Sequence, residues 1–334
     1  MRNFGKTDMK ICRVGFGGIP IQRISQEDTN KVIDELEACG VNFIDTARGY
    51  TVSEQYLGNA LKGRREKFYI ATKSMARDYE SMKRDIEISL NNLQTDYIDL
   101  YQMHNVKPVE YDTLFEEDKA YRALVEAKEA GKIKHIGITS HGLETIEKAI
   151  EGGKFESIQF PYNIVENQAE DLFKKAYEKG IGTITMKPLA GGAITDGTLA
   201  MKYILSKEFI DVAIPGMDTP EQVRENTAVI NNVELTEEDL NKITQIKAEL
   251  GTNFCRRCEY CLPCPQGVNI PQNFLLEGYY SRYGLQDWAL ERYQGLGENG
   301  KARNCIQCGE CESKCPYELP ITKMLENVVD KLGK

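Results

Sequence analysis

The chain has 334 residues, 41% of them apolar, and 51 acidic residues against 42 basic ones leave a net charge of −9. That length exceeds one ordinary domain and fits a large unit followed by a small one. The acidic balance argues against general affinity for nucleic acid or an acidic membrane surface, and no apolar run of about 18 residues offers a membrane span. The opening MRNFGKTDMKICRVGFG has no apolar stretch ahead of a small-residue cleavage site, so it reads as mature sequence, and a cytoplasmic location is expected.

Up to residue 235, short apolar runs alternate with longer amphipathic stretches. The runs are RVGFG (13–17), VNFID (41–45), FYIATK (68–73), YIDLYQMH (97–104), IKHIGIT (133–139), SIQF (157–160), IGTITMK (181–187) and DVAIPG (211–216). Each is nearly continuous in apolar residues, as a strand buried on both faces must be. Helix-like segments separate them at 28–39, 53–62, 80–92, 117–130, 143–151, 168–179, 197–206 and 220–230. Ser53 with Glu54 fits a helix start, and Gly40, Gly131 and Gly180 each sit where a helix would end. Eight such repeats predict a parallel (β/α)8 TIM barrel. The competing open, doubly wound sheet usually carries G-x-G-x-x-G after its first strand, and GFGGIP (15–20) lacks the third glycine. Residues 236–250 read as one more helix, with Thr236 as its N-cap. The expected division is a barrel over 1–250 and a cysteine-rich, loop-rich domain over 251–334.

Eight of the ten cysteines fall in that second part. Cys255, Cys258, Cys261 and Cys264 form C-x2-C-x2-C-x2-C-P; Cys305, Cys308, Cys311 and Cys315 form C-x2-C-x2-C-x3-C-P. The second spacing is that of bacterial ferredoxins, where three cysteines of a run hold one [4Fe–4S] cube and the fourth reaches the other. Two clusters are therefore expected, one on Cys255, Cys258, Cys261 and Cys315, the other on Cys305, Cys308, Cys311 and Cys264. Two four-thiolate zinc sites are the alternative, but structural zinc usually takes pairs of C-x2-C separated by a longer spacer. Cys12 and Cys39 stand alone and read as small core residues.

Polar residues close the barrel runs where barrel active sites form. Asp45 and Tyr50 flank the end of the second, Lys73 closes the third and His104 the fourth. Together they suit proton delivery during carbonyl reduction. A tyrosine titrates near ~10 when unperturbed, a neighbouring ammonium favours its phenolate, a carboxylate would hold that ammonium, and a histidine could orient the carbonyl oxygen. His135, inside a run, is expected to be packed or hydrogen-bonded.

The segments GVNFIDTARGYTVSEQYLGNAL, YIATK, YIDLYQMH, KHIGITSH and IPGMDTPEQVREN, in that order, resemble the aldo-keto reductases. With the cysteine-rich part, the whole chain resembles members carrying a C-terminal ferredoxin-like 4Fe–4S domain. The resemblance implies Tyr50 as general acid in a tetrad with Asp45, Lys73 and His104, and NAD(P)H-dependent reduction of an aldehyde or ketone without a flavin. It implies nicotinamide contacts at Thr139, Ser140 and Gln159, with Met186 where many members stack a tyrosine on the ring. Gly18 joins the cofactor set, Pro188, Leu189 and Gly191 match a loop near the pyrophosphate, and Gly216, Thr219, Gln222, Glu225 and Asn226 fall on the adenosine segment. Many NADP-preferring members place cations where this chain has Gly216 and Gln222, so NADH is expected to serve at least as well as NADPH. The expected partners are a small carbonyl substrate and, if the clusters relay electrons, a redox protein. An electron-transfer protein using the barrel for docking, and a cofactor-sensing binding protein, are the competing functions.

Overall fold

The computed structural model describes residues 1–250, 255, 261–282, 285–315 and 318–333. They form two compact units, one of residues 1–188 and 196–236, the other of residues 189–195 and 237–334. The helix over 237–250 thus groups with the second unit.

The first unit opens with a two-stranded antiparallel hairpin, β1 (Arg2–Asn3) and β2 (Lys10–Ile11). Eight parallel strands follow: β3 (Phe16–Gly17), β4 (Phe43–Asp45), β5 (Tyr69–Ser74), β6 (Ile98–Met103), β7 (Ile133–Thr139), β8 (Ser157–Pro161), β9 (Gly182–Met186) and β10 (Val212–Ile214). Each neighbours its successor, and bridges Val14–Ala213 and Gly17–Gly216 bring the last strand against the first, so the sheet is a nearly closed barrel. The helices are α1 (Gln26–Ala38), α2 (Ser53–Ala60), α3 (Tyr79–Leu93), a single turn α4 (Pro108–Tyr111), α5 (Ala120–Glu129), α6 (Leu143–Gly152), α7 (Glu170–Lys179), α8 (Gly197–Leu205) and α9 (Pro220–Thr227). Their starts have physical causes. Ser25, Asp78, Asp196 and Thr219 each accept a backbone N–H of the first turn, and α7 ends on Gly180 in the left-handed region.

The hairpin was not legible in the sequence, and it fills one end of the barrel. Phe4, Met9 and Ile11 are buried in one cluster with Phe43, Ala71, Leu100, Ile184 and Val212. Gly182 is required there, because a Cβ would lie 2.5 Å from the Phe4 ring.

The second unit includes α10 (Glu237–Leu250), and its α11 (Ile270–Arg282), α12 (Gln286–Gln294), the short α13 (Glu310–Ser313) and α14 (Ile321–Leu332) surround a core of Val268, Ile270, Leu276, Ala289, Tyr293, Leu325 and Val328. Among the described residues no helix is long and apolar enough to cross a membrane.

Candidate functional site

At the C-terminal ends of β4 and β5 stands a buried ion pair. The Lys73 ammonium donates to Asp45 Oδ2 at 2.6 Å and to the Thr46 carbonyl at 2.7 Å, and both side chains are almost wholly buried. Burial draws Lys73 below the ordinary lysine value, and the contact with Asp45 opposes that shift. The Lys73 nitrogen lies 5.1 Å from the centre of the Tyr50 ring. Tyr50 follows β4 on a tight turn, and its ring meets that of His104 edge-on at 6.1 Å. Four residues up to 59 positions apart thus converge on one end of the barrel, as their places at strand ends require.

His104 lies one residue beyond β6, held by its N–H to the Ser74 carbonyl and by Arg77 Nη2 on its own carbonyl at 2.8 Å. Burial, with Lys73 and Arg77 nearby, holds its imidazole down to about 3, so it is neutral at any working pH.

One residue of this network was missed in the sequence. Gln102, two positions before His104 and on the same face of β6, donates to Asp45 Oδ1 at 3.3 Å and to Gln159 Oε1 at 2.9 Å. It hid inside an apolar run. Gly137 on the next strand leaves it room, since a Cβ there would come within 3.0 Å of the Gln102 side chain.

The residues expected around a nicotinamide lie on neighbouring strands. Thr139 of β7 pairs in register with Gln159 of β8, and Pro161 of β8 with Met186 of β9. Thr139 Oγ1 accepts the Asn105 N–H, whereas the Ser140 hydroxyl spends its only proton on the Val106 carbonyl. Gly18 donates its N–H to the Asp45 carbonyl, and Pro188 is buried just beyond β9. Thr219 caps α9, Gln222 accepts the Asp218 N–H, Glu225 is exposed and Asn226 buried. Leu189 and Gly191 belong to the second unit, where Gly191 adopts left-handed backbone. Gln102 Oε1 and His104 Nδ1 are buried without a hydrogen-bond partner among the described residues. Leaving such an atom unmet costs about 1–3 kcal/mol, so a bound polar group would complete the barrel mouth, and a nicotinamide cofactor with a carbonyl substrate fits it.

In the second unit Cys264, Cys305, Cys308 and Cys311 line one small cavity with Ile270, Thr322 and Leu325. This is the set expected for one cluster, with Cys264 brought over from the other run. Among the described residues no three His, Cys, Asp or Glu side chains are placed to share a single metal ion. Burial pushes the Cys311 thiol up to about 11, and a ligand cation would be needed to hold it as thiolate. Of the other set, Cys261 is buried and Cys255 and Cys315 half-buried on the unit's core, while Cys258 lies outside the described residues.

Residues 13–199 and 195–248 match the model of the Aldo/keto reductase family, and residues 254–320 match that of a 4Fe-4S dicluster domain. L-galactose dehydrogenase of Arabidopsis thaliana is 27% identical, over 75% of this chain and 94% of its own. NADH-specific methylglyoxal reductase of Escherichia coli is 27% identical, over 74% and 98%. Among solved structures, the holo form of aldo-keto reductase AKR11C1 from Bacillus halodurans matches with a TM-score of 0.65 at 26% identity, covering 73% of this chain and 95% of that one.

Proposed function

Because the chain belongs to the aldo/keto reductase family, we propose that this oxidoreductase reduces a small aldehyde or ketone to the alcohol with NADH, and that residues 251–334 carry two [4Fe–4S] clusters. The nicotinamide, when bound, supplies hydride to the carbonyl carbon. Tyr50 donates the proton to the carbonyl oxygen, a role it can fill because Lys73 lies beneath its ring. Asp45 keeps Lys73 in place and charged. Neutral His104 holds the carbonyl oxygen beside Tyr50. When the cofactor is bound, Thr139 and Gln159 would orient its carboxamide, Met186 would pack on the ring and Pro188 would face the pyrophosphate. Gly18, Ser140, Gly216, Thr219, Gln222, Glu225 and Asn226 line the rest of the cofactor's path.

The observation that carries this reading is the buried Asp45–Lys73 pair beneath Tyr50. The NADH preference rests on the uncharged Gly216 and Gln222, and the nearby cations are paired: Arg23 bonds Asp218 at 2.6 Å and Arg224 bonds Glu35 at 2.7 Å. The name of the E. coli relative agrees. The test is a panel of small carbonyls with NADH oxidation as readout, on the wild type and Tyr50→Phe. The variant should bind NADH normally and lose about 10²–10⁴-fold in kcat. A variant with near-normal kcat on any good substrate refutes the role of Tyr50.

A further inference from the structure

Glu54 sits one turn beyond Tyr50, at the start of α2, and is 1% exposed. A carboxylate that served only as a helix-start charge would face water. This one is buried and fully bonded. Oε1 accepts from Thr72 Oγ1 at 2.8 Å and Ser89 Oγ at 2.7 Å; Oε2 accepts from Arg48 Nη1 at 2.9 Å and Asn92 Nδ2 at 3.1 Å. The donors come from β5, from α3 and from the turn that carries Tyr50. Four donors fill a carboxylate's roughly four acceptor sites.

Two consequences meet at Tyr50. First, Arg48 and Glu54 bracket it in sequence and pair with each other in space. Tyr50 donates its N–H to the Ala47 carbonyl just before that bracket, and its own carbonyl accepts the Ser53 N–H at 2.7 Å within it. Thr51 has a φ of +36°, a conformation that persists only when its surroundings hold it. Second, Thr72 precedes Lys73 directly, and the Arg48 N–H bonds the Lys73 carbonyl at 2.9 Å. Two buried anions, Asp45 and Glu54, thus lie near the buried Lys73 and the partly buried Arg48, Glu54 on the opposite face of β5 from the Lys73 side chain; the Glu54 charge, like that of Asp45, raises the Lys73 value. Tyr101 of β6, which burial keeps neutral, meets the Ser89 hydroxyl that bonds Glu54, and the half-buried Asp85 of α3 near Tyr101 accepts from Ser74.

We propose that Glu54 is a positioning residue for the reduction: it fixes the Tyr50 turn against α3 and supplies the second negative charge that keeps Lys73 protonated. This rests on the reading of Tyr50 and Lys73 as the proton-delivering pair.

The test compares Glu54→Gln, Arg48→Gln and Ser89→Ala with the wild-type holoenzyme. Lys73 is followed by lysine ¹³Cε NMR, assigned by its loss in Lys73→Arg, and kcat is followed against pH. Removing the anion should move the Lys73 titration and the alkaline limb of kcat to lower pH, by about half a unit or more. Removing the cation in Arg48→Gln should move both to higher pH. Glu54→Gln should also lose roughly 10–100-fold in kcat through misplacement of Tyr50, with NADH affinity within about twofold of normal. Glu54→Asp, which restores the charge, should recover the limb. Ser89→Ala, which removes a bond but no charge, should lower Tm and leave both titrations in place. Unmoved titrations in Glu54→Gln and Arg48→Gln, or a Ser89→Ala shift as large as that of Glu54→Gln, overturn the proposal. Should Glu54→Gln fail to fold, the direction of the Arg48→Gln shift decides alone. An enzyme that reduces no carbonyl would refute the proposed function, while the Lys73 titration would still decide the role of Glu54.

Discussion

Removing one partner of the Asp45–Lys73 pair leaves a charge in a site that is about 2% exposed. In Asp45→Asn, Lys73 keeps the Thr46 carbonyl as an acceptor but loses its counterion. Breaking a buried pair from one side typically costs about 3–5 kcal/mol. Lysine has an escape, which is to give up its proton. From an unfolded value near about 10.4, that costs about 4.6 kcal/mol at pH 7 and about 1.9 kcal/mol at pH 9. The folded variant then binds fewer protons than its unfolded form, so its stability rises with pH. The Asp45→Asn penalty should therefore shrink between pH 7 and pH 9. At pH 7 a loss of about 4 kcal/mol in a unit of this size lowers Tm by roughly 8–16 °C. The double variant Asp45→Asn/Lys73→Met carries no stranded charge and should be more stable than the sum of the single losses by about 2 kcal/mol or more. Urea unfolding of the four proteins at both pH values is the assay. Additive single effects, or a penalty independent of pH, would refute the view that the pair is ionised and mutually dependent.

The purified protein should hold about eight irons, and Cys264→Ser should lower that to about four by damaging the cluster of the second run, read by iron assay and electron paramagnetic resonance; stoichiometric zinc without iron after anaerobic preparation would contradict it. NADH should equal or exceed NADPH in kcat/KM on one substrate at fixed salt. A preference for NADPH of about a hundredfold, roughly 2.7 kcal/mol, would mean that Arg23 or Arg224 leaves its carboxylate partner for the 2′-phosphate. His135 bonds Glu156 at 2.8 Å and Asp8 at 2.9 Å. Burial works against its charge, but the two carboxylates outweigh that and raise its value. A raised value gives stability that is complete below the unfolded pKa of about 6.5 and fades as pH rises through the folded one. His135→Gln should thus lower Tm clearly at pH 6 and little at pH 9, and an equal loss at both would show that its packing alone matters.

Asp45, Lys73 and His104 were legible because each is a polar residue closing an apolar run, and parallel strands deliver such residues to one end. The nearby polar network was not. Gln102 sits within YIDLYQMH, where one amide among apolar residues leaves no period to detect. Glu54 reads as an ordinary acidic residue in a first helical turn, and Thr72, Ser89 and Asn92 bond to it from 18, 35 and 38 positions away. The hairpin escaped because two-residue strands carry no alternation. Helix boundaries fared better where chemistry marks them: α8 begins at the expected Gly197 behind Asp196, and α9 at the expected Pro220 behind Thr219.

The Phe4–Gly182 contact also imposes an order of assembly on the growing chain. The pocket for Phe4 is walled by Phe43, Ile184 and Val212, and the barrel closes on its first strand through the Val14–Ala213 and Gly17–Gly216 bridges. During synthesis at about 5–20 residues per second, residues 1–11 wait roughly 10–40 seconds for the last of those partners. Throughout that interval Phe4, Met9 and Ile11 lack their final neighbours, and β3 remains an open edge. Residues 1–11 are thus made well before the partners that bury them, and the closure of the barrel on them waits for its last strand.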